Sequence, residues 1–251
     1  MKTPVLIALL CLFFSCSKKE EKLPNPVLDC IGTVSTSIFQ SNCEDFGPVT
    51  ELCKIEQVGN FSIEDSSKVY MPQFCKEKGD LVVFQNGAGD KITMELTGKL
   101  YDSQVITYYS NIMCPADSTK TIGICIENEN LSIRMKAIDA DLDLIIEIST
   151  IPDFEKSSIG QVSDILRILR VESANSYIID FRAVLDQRTS SHANTFNQQF
   201  FEDITLLGKN YKDVISNDKT HFDNPYTYFY NKQAGLIAFS DPSGTMWRII
   251  D

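Results

Sequence analysis

Two histidines are the only imidazole side chains in this chain of 251 residues, and both stand in polar segments. His192 directly follows Ser190 and Ser191, a pairing that could provide a nucleophile and its general base, and His221 lies further along the chain. A catalytic triad is assembled across a fold, so adjacency in sequence means little, and no Gly-x-Ser-x-Gly elbow is present. We therefore predict two surface histidines and identify no catalytic residue.

Three carboxylates at alternate positions occur in Asp139-Ala-Asp-Leu-Asp143, and carboxylates are ligands that calcium prefers. An EF-hand loop starting there would need Gly at position 144 and Glu at position 150, where this chain has Leu144 and Thr150. We predict a solvent-facing turn that leads into a strand, with neither a metal site nor a cofactor. A hydrolase with a carboxylate pair remains an alternative, because the spacing of such a pair is set by the fold.

Aromatic side chains offer a third kind of chemistry. Tyr226, Tyr228 and Tyr230 alternate along one segment, and Trp247 stands in the segment that closes the chain. Rings at strand spacing usually fill cores or form cross-strand pairs, but these four could also stack on sugar rings. They are the ligand-stacking candidates of the chain. A surface glycan-binding protein is therefore an alternative function, and it requires the tyrosines to be exposed.

The first 15 residues, MKTPVLIALLCLFFS, combine Lys2 with an uncharged apolar run and a small residue, Ser15, directly before Cys16. That order predicts a secretory signal peptide over residues 1–15. The apolar run is shorter than the about 20 residues that a membrane-spanning helix needs. With Phe13 at position −3, Ser15 at −1 and Cys16 at +1, the stretch resembles the lipobox of bacterial lipoproteins. The resemblance implies that Cys16 is acylated, and two or more acyl chains make a stable membrane anchor.

The segment Ser17-Lys-Lys-Glu-Glu-Lys22 follows this cysteine. It resembles the Lys/Glu/Asp-rich export signal of surface lipoproteins in Bacteroidota, although charged composition by itself also gives a solvated linker. We expect residues 16–27 to form a lipidated tether without packed structure. We also expect an outer-membrane location, with surface display preferred to a periplasm-facing body.

Eight cysteines are present. Apart from Cys11 and Cys16 they are Cys30, Cys43, Cys53, Cys75, Cys114 and Cys125. An even number in an exported chain predicts three disulfides, whose connectivity cannot be derived from sequence. Short loops would favour Cys114–Cys125, Cys30–Cys43 and Cys53–Cys75. No Cys-x-x-Cys spacing occurs, which argues against a zinc site.

The composition limits which classes of partner this chain can bind. A formal net charge of −11 argues against binding nucleic acid, which needs a basic surface. It also argues against electrostatic docking on anionic lipid. The expected partners are the membrane, through the lipid anchor, and a glycan or a protein of the envelope. The oligomeric state stays open.

Alternation of apolar and polar residues dominates from residue 68 onward and predicts strands with one face on a core. Asn86-Gly-Ala-Gly-Asp90 predicts a hairpin turn, since no Gly-Lys-Ser/Thr follows it as in a phosphate loop. Segment 157–171 differs, because its apolar residues stand at helical spacing and predict a short helix. The predicted strands lie at 80–85, 92–97, 100–109, 122–126, 131–137, 142–148, 177–183, 204–207 and 211–215.

The C-terminal segment, YTYFYNKQAGLIAFSDPSGTMWRIID, predicts three strands separated by turns at 231–234 and 241–244. Asp, Pro and Gly occupy the positions that a type I turn favours in Asp241-Pro-Ser-Gly244. This segment resembles the C-terminal end of uncharacterised Bacteroidota lipoproteins in its Tyr-rich strand, its Asn-Lys-x-x-Gly turn and its Gly-x-x-Trp closing strand. The resemblance implies an exported, β-rich lipoprotein and carries no activity with it.

These patterns together predict a mainly β protein, an antiparallel sandwich or half-barrel with at most one or two short helices. Residues 28–251 form a single β-rich domain, of which 28–65 are expected to be loop-rich and stapled by disulfides. The expected function is that of an outer-membrane-anchored lipoprotein that acts by binding or as part of an envelope complex, without enzymatic activity. A carrier of an apolar ligand, which would need an apolar cavity, is the remaining alternative.

Overall fold

A computed structural model describes residues 26–32, 37–38, 52–152, 162–173, 176–185, 198–217 and 226–250. In this part the chain forms a 13-stranded sheet with two short α-helices, α1 (Pro26–Gly32) and α2 (Asp65–Lys68), and a 3₁₀ turn at Pro72–Cys75. The strands are β1 (Ser37–Ile38), β2 (Leu52–Phe61), β3 (Leu81–Asn86), β4 (Lys91–Cys114), β5 (Asp117–Ala137), β6 (Asp143–Pro152), β7 (Val162–Ser173), β8 (Ser176–Val184), β9 (Gln198–Leu206), β10 (Lys209–Asn217), β11 (Thr227–Asn231), β12 (Gly235–Ser240) and β13 (Met246–Ile250). No helix in these ranges is long and apolar enough to cross a membrane.

The sheet follows the order β8-β7-β6-β5-β4-β3-β13-β12-β11-β10-β9, with antiparallel neighbours throughout. It curls so that β8, at one end of this order, contacts β10 and β11 near the other end. The short β1 and the longer β2 add to β4 and β5 as parallel strands. The prediction of a mainly β, antiparallel half-barrel is confirmed.

The inner face of the curled sheet holds the main core. Side chains alternate along each strand, so Leu131, Ile133 and Met135 of β5 point inward and are almost fully buried. The N-terminal helix and the 3₁₀ turn cover part of the same core with Ile31 and Phe74. Full burial of an apolar side chain stabilises a fold by about 1.5–3 kcal/mol, so this continuous cluster is the main source of stability.

A second, smaller core lies on the opposite face, where the β9–β10 hairpin packs against β11 and β12. Its buried residues are Leu206, Tyr211, Val214, Phe229, Ile237 and Ala238. The hairpin turn consists of Leu207 and Gly208, which have φ of 45° and 77°. Positive φ at both positions is the geometry of a tight two-residue hairpin. The predicted strand 204–207 therefore ends one residue early, at Leu206.

Several predicted boundaries are wrong for reasons of long-range packing. Segment 157–171 was expected to be helical, but its described part belongs to β7, which pairs with β6 and β8. Residues 162–166 are buried on both faces of the sheet, which removes the alternation that would identify a strand. The predicted strands 92–97 and 100–109 are one strand with a bulge near Gly98, and 122–126 and 131–137 join in β5.

The described residues of the N-terminal part form regular elements. Residues 26 and 27 begin α1, and Val27 is buried in the main core. Within 28–65 the described residues include most of α1, the short β1 and the ten-residue β2. Backbone pairing with β5, far along the chain, supplies the partner that local sequence did not reveal.

Disulfide bonding is confirmed, but the short-loop pairing is wrong. The described bonds join Cys30 to Cys75 and Cys53 to Cys114, and Cys125 is also disulfide-bonded. Helix α1 packs against the 3₁₀ turn that ends at Cys75, and β2 runs beside the β4–β5 hairpin that holds Cys114. These contacts, rather than loop length, decide which cysteines meet. Cys43 lies outside the described residues.

Candidate functional site

An open groove of about 550 Å³ lies where β3, β4 and β13 meet. Its volume falls within the range of about 300–1,000 Å³ that is typical of small-molecule sites. The lining residues are Lys76, Leu81, Val82, Val83, Lys91, Thr93, Ile249 and Ile250. The groove thus combines an apolar floor with two lysines, and we call it the β3–β13 groove.

Strand register explains why apolar side chains line this surface. Val83 stands opposite Thr93 on one side and Ile250 on the other, so the three share the outer face. The neighbouring Phe84 points inward and is fully buried. Leu81, two residues before Val83, therefore also faces outward, and its exposed fraction is 52%. The floor of the groove is an apolar row that the main core leaves uncovered.

The two lysines give the groove a charge opposite to that of the chain. The whole chain has a formal net charge of −11, yet among the described residues no carboxylate lines the groove. Among the described residues neither Lys76 nor Lys91 pairs with an acid, whereas Lys99 contacts Glu77. The acids closest in register are Glu95, opposite Leu81, and Asp139, whose carboxylate accepts a hydrogen bond from the Thr93 backbone. The groove is therefore locally basic.

The central strand of the groove has no free hydrogen-bonding edge. β3 pairs with β4 on one side and with β13 on the other, whereas the pairing of β13 with β12 ends at Arg248. A ligand strand could therefore not extend the sheet beside β3. An occupant that lies on β3 binds through the side chains of the groove, by apolar contact and by interaction with the two ammonium groups.

A different cluster joins the two ends of the curled sheet. Asp180 accepts hydrogen bonds from the Tyr228 hydroxyl at 2.8 Å and from Arg170 Nε at 3.0 Å. The Asn217 side chain accepts from the Tyr228 backbone N–H and donates to the carbonyls of Tyr226 and Asp180. We call these five residues the seam cluster. Their bonds connect β7 and β8 with β10 and β11, so they hold the curl.

Burial controls the electrostatics of the seam cluster. The Asp180 side chain is fully buried, and burial raises its pKa even though Tyr228 and Arg170 both donate to it. Asp180 is the extra residue of a bulge in β8, between two positions that pair with consecutive residues of β7. A bulge re-aims a side chain, which explains why this carboxylate reaches the interior. The cluster connects strands from the two ends of the sheet and acts on the fold.

The predicted ligand-stacking residues separate into two groups. Tyr228 and Tyr230 have no exposed surface, and the Tyr230 hydroxyl donates to the carbonyl of Tyr70 at 2.5 Å. Their rings are not available to a ligand at the surface. Tyr226 and Trp247 are half-buried, with Tyr226 stacked on Tyr228 at a centroid distance of 6.0 Å. Trp247 donates from Nε1 to Asp241 at 3.0 Å. These two rings already have partners within the chain.

A further polar cluster lies on the side of α2. Glu129 accepts hydrogen bonds from the Tyr101 hydroxyl and from the Ile63 backbone, each at 2.9 Å, and Lys68 lies 3.4 Å away. Burial lowers the pKa of Lys68, but the interactions with Glu129 and Tyr101 together outweigh it and raise the pKa overall. Each group has a partner within the chain, so the cluster connects α2 to the β4–β5 hairpin.

Other candidates from the sequence are not brought together. The turn at 139–142 leads into β6 as predicted, and Asp143 pairs with Arg134 at 2.6 Å. In the part of the chain that the structure describes, no three His, Cys, Asp or Glu side chains are grouped to hold a metal ion. Cys16, His192 and His221 lie outside the described residues.

Sequence reasoning missed the groove because the segment Leu81-Val-Val-Phe84 is apolar on both faces. Such a run was interpreted as a buried strand, and the outward position of Leu81 and Val83 depends on which face the core covers. The signal that could have located the site is the pair of lysines close to this run. No known protein family, curated protein or solved structure matches this chain.

Proposed function

We propose that this chain is a lipid-anchored protein of a bacterial outer membrane that works by non-covalent binding, with the β3–β13 groove as its binding site. The observation that carries the proposal is the groove itself. The groove combines an apolar row, with a leucine that is 52% exposed, and two lysines that have no acidic partner among the described residues, on a strongly acidic chain. Such a combination is typical of a binding surface.

The disulfides support an exported protein. Stable disulfides form in oxidising compartments outside the cytoplasm, and the described bonds span 45 and 61 residues of chain. Together with the lipobox-like sequence before Cys16 they favour an envelope location. The charged tether favours display on the cell surface rather than toward the periplasm.

The alternatives gain less support from the geometry. The inner face of the half-barrel is filled by one continuous apolar cluster, so a ligand carried inside it would have to displace core side chains. A glycan would have to bind through Tyr226 and Trp247 alone, since the other two candidate rings are buried. The groove on the outer face requires no such rearrangement.

Intact-mass spectrometry of the protein extracted from its own membranes tests the anchor. We expect a mature chain that begins at Cys16 and carries acyl groups, and we expect Cys16→Ser to abolish acylation. A mature protein that carries no lipid on Cys16 would reject the anchoring part of the proposal. Protease shaving of intact cells, compared with permeabilised cells, then decides which side the body faces.

Amine footprinting tests the groove as a binding site. Lys76 and Lys91 should resist an amine-reactive reagent in intact membranes and become reactive in the purified, delipidated protein, because the occupant is then removed. Lys212 and Lys232 are exposed and lie outside the groove, so they serve as matched controls that react in both samples. Equal reactivity of all four lysines in both samples would reject an occupied groove.

A further inference from the structure

We propose that the β3–β13 groove binds an anionic lipid of the membrane to which the chain is anchored. The acyl chain lies along Leu81, Val83 and Ile250, and the lysines of the groove, Lys76 and Lys91, attract the headgroup. This inference deepens the function proposed above and depends on it for the anchoring membrane. It adds the chemical class of the occupant, which the groove's geometry and charge determine.

The apolar part of the groove has a shape that fits an acyl chain. Leu81, Val83 and Ile250 lie side by side on adjacent strands, since Val83 is opposite Ile250 and Leu81 is two residues from Val83 on the same face. They form a linear apolar row rather than a deep pocket. An extended acyl chain fits such a row, and its burial there is favourable because both surfaces leave water.

The lysines of the groove provide the positive charge that an anionic headgroup requires. The two lysines belong to different elements, Lys76 to the end of the 3₁₀ turn and Lys91 to the start of β4, and none of the described residues that line the groove carries a carboxylate. An ammonium group attracts the phosphate of a lipid headgroup. The acidic net charge of the chain argues against docking of the whole surface on anionic lipid, but it does not oppose a contact confined to this basic groove.

The position of the groove selects a membrane lipid over a soluble acid. Lys76 directly follows Cys75, which is bonded to Cys30 in α1. Helix α1 begins at Pro26, ten residues after Cys16. Ten residues of extended chain span at most about 33–36 Å, so the anchor keeps α1 within that distance of the bilayer surface. The groove end at Lys76, which is joined to α1 by the Cys30–Cys75 bond, therefore stays within reach of the membrane.

Native mass spectrometry of the full-length, lipidated protein in a non-ionic detergent tests this inference. The probes are phosphatidylglycerol, phosphatidylcholine with the same acyl chains, and dodecanoate. We expect phosphatidylglycerol to be retained at about tenfold lower concentration than phosphatidylcholine, because only the former carries a net charge for the lysines. Preferential retention of dodecanoate would replace the membrane lipid by a free fatty acid. Equal retention of the two phospholipids would overturn the proposal.

Two pairs of variants locate the site. K76E/K91E should weaken phosphatidylglycerol retention about tenfold, whereas K212E/K232E, which changes the net charge equally, should leave it unchanged. L81D should abolish retention, whereas M113D should not, because Met113 lies outside the groove. Met113 is a suitable control because its exposed fraction, 59%, is similar to the 52% of Leu81. Both replaced apolar side chains are more than half exposed, so we expect the variants to retain the fold. Circular dichroism of each variant checks this. Equal losses within either pair would overturn the groove as the site.

The two proposals can fail separately. Protection of Lys76 and Lys91 in membranes without lipid retention would keep an occupied groove but assign it to another partner, such as an acidic protein. Lipid retention in a chain that is not acylated on Cys16 would keep the groove chemistry and reject the anchor. Each outcome therefore identifies which proposal is wrong.

Discussion

Replacing Gly235 by Ala should destabilise the fold through two separable contributions. Gly235 opens β12 with a φ of 73°, in the left-handed region that L-residues avoid. A Cβ atom at this position would also overlap the side-chain amide of Gln73. Gln73 is buried and donates from Nε2 to the carbonyl of Ala234 at 2.6 Å, so it cannot move without losing that bond.

The magnitude follows from these two parts. Left-handed backbone costs an L-residue about 1–2 kcal/mol relative to glycine. Displacing Gln73 removes a hydrogen bond with a net contribution of about 0.5–1.5 kcal/mol and disturbs the packing around it. We therefore expect G235A to lower the free energy of unfolding by about 2–4 kcal/mol.

Gly244 provides a matched control. Its φ is 82°, and no atom lies within 4 Å of the position that a Cβ would occupy. G244A should therefore cost only the backbone contribution of about 1–2 kcal/mol. Urea unfolding measures both variants, followed by the fluorescence of Trp247, the single tryptophan of the chain. The difference between the two variants isolates the contact with Gln73.

A double-mutant cycle with Q73A completes the test, because truncating Gln73 removes the group that the new methyl would meet. In the Q73A background, G235A should cost no more than G244A costs in the unmodified protein. The reasoning is refuted if G235A and G244A are equally destabilising, or if the Q73A background leaves the cost of G235A unchanged. Either result would mean that the turn before β12 adapts to the extra atom.

Three further predictions concern the seam cluster and the disulfides. Asn217→Ala removes three hydrogen bonds to the backbone of neighbouring strands and should lower the free energy of unfolding by about 2–3 kcal/mol in urea titrations. Asn210→Ala in the exposed β9–β10 hairpin should change it by less than about 0.5 kcal/mol, and equal losses would contradict a special role of the seam. Burial raises the pKa of Asp180 above its ordinary 3.8, so the folded state holds this proton more tightly than the unfolded state. The free energy of unfolding of the unmodified protein should then fall relative to that of D180N as the pH rises from about 4 toward 7, and a constant difference would reject the raised pKa. Replacing Cys53 and Cys114 together by Ser opens a bond across 61 residues and should cost about 2–4 kcal/mol in the same assay, a loss that would be absent if the bond does not form.

Turns were the part of the fold that local sequence predicted best. In the turn after β12 the Asp241 carboxylate accepts hydrogen bonds from the backbones of Ser243 and Thr245, and Gly244 adopts a positive φ. All these interactions lie within five residues, so the residue types at fixed offsets were sufficient. The Asn-Lys-x-x-Gly turn behaves likewise, since Asn231 accepts a hydrogen bond from the Ala234 backbone. Segments that alternate strictly in sequence, such as residues 131–137 of β5, were predictable for the same reason.

The sequence by itself thus determined the β character of this chain, its hairpin turns and the presence of disulfides. Only the tertiary structure decided that β7 is a strand, that Cys30 pairs with Cys75, and that Leu81 faces outward at the groove. The physical reason is the distance along the chain over which each kind of interaction acts. Alternation and turn chemistry act between residues a few positions apart, whereas burial of both faces of a strand, the meeting of two cysteines and an uncovered apolar row depend on elements distant in sequence. Whether a given face of a strand becomes core or binding surface is set by what the rest of the chain places over it.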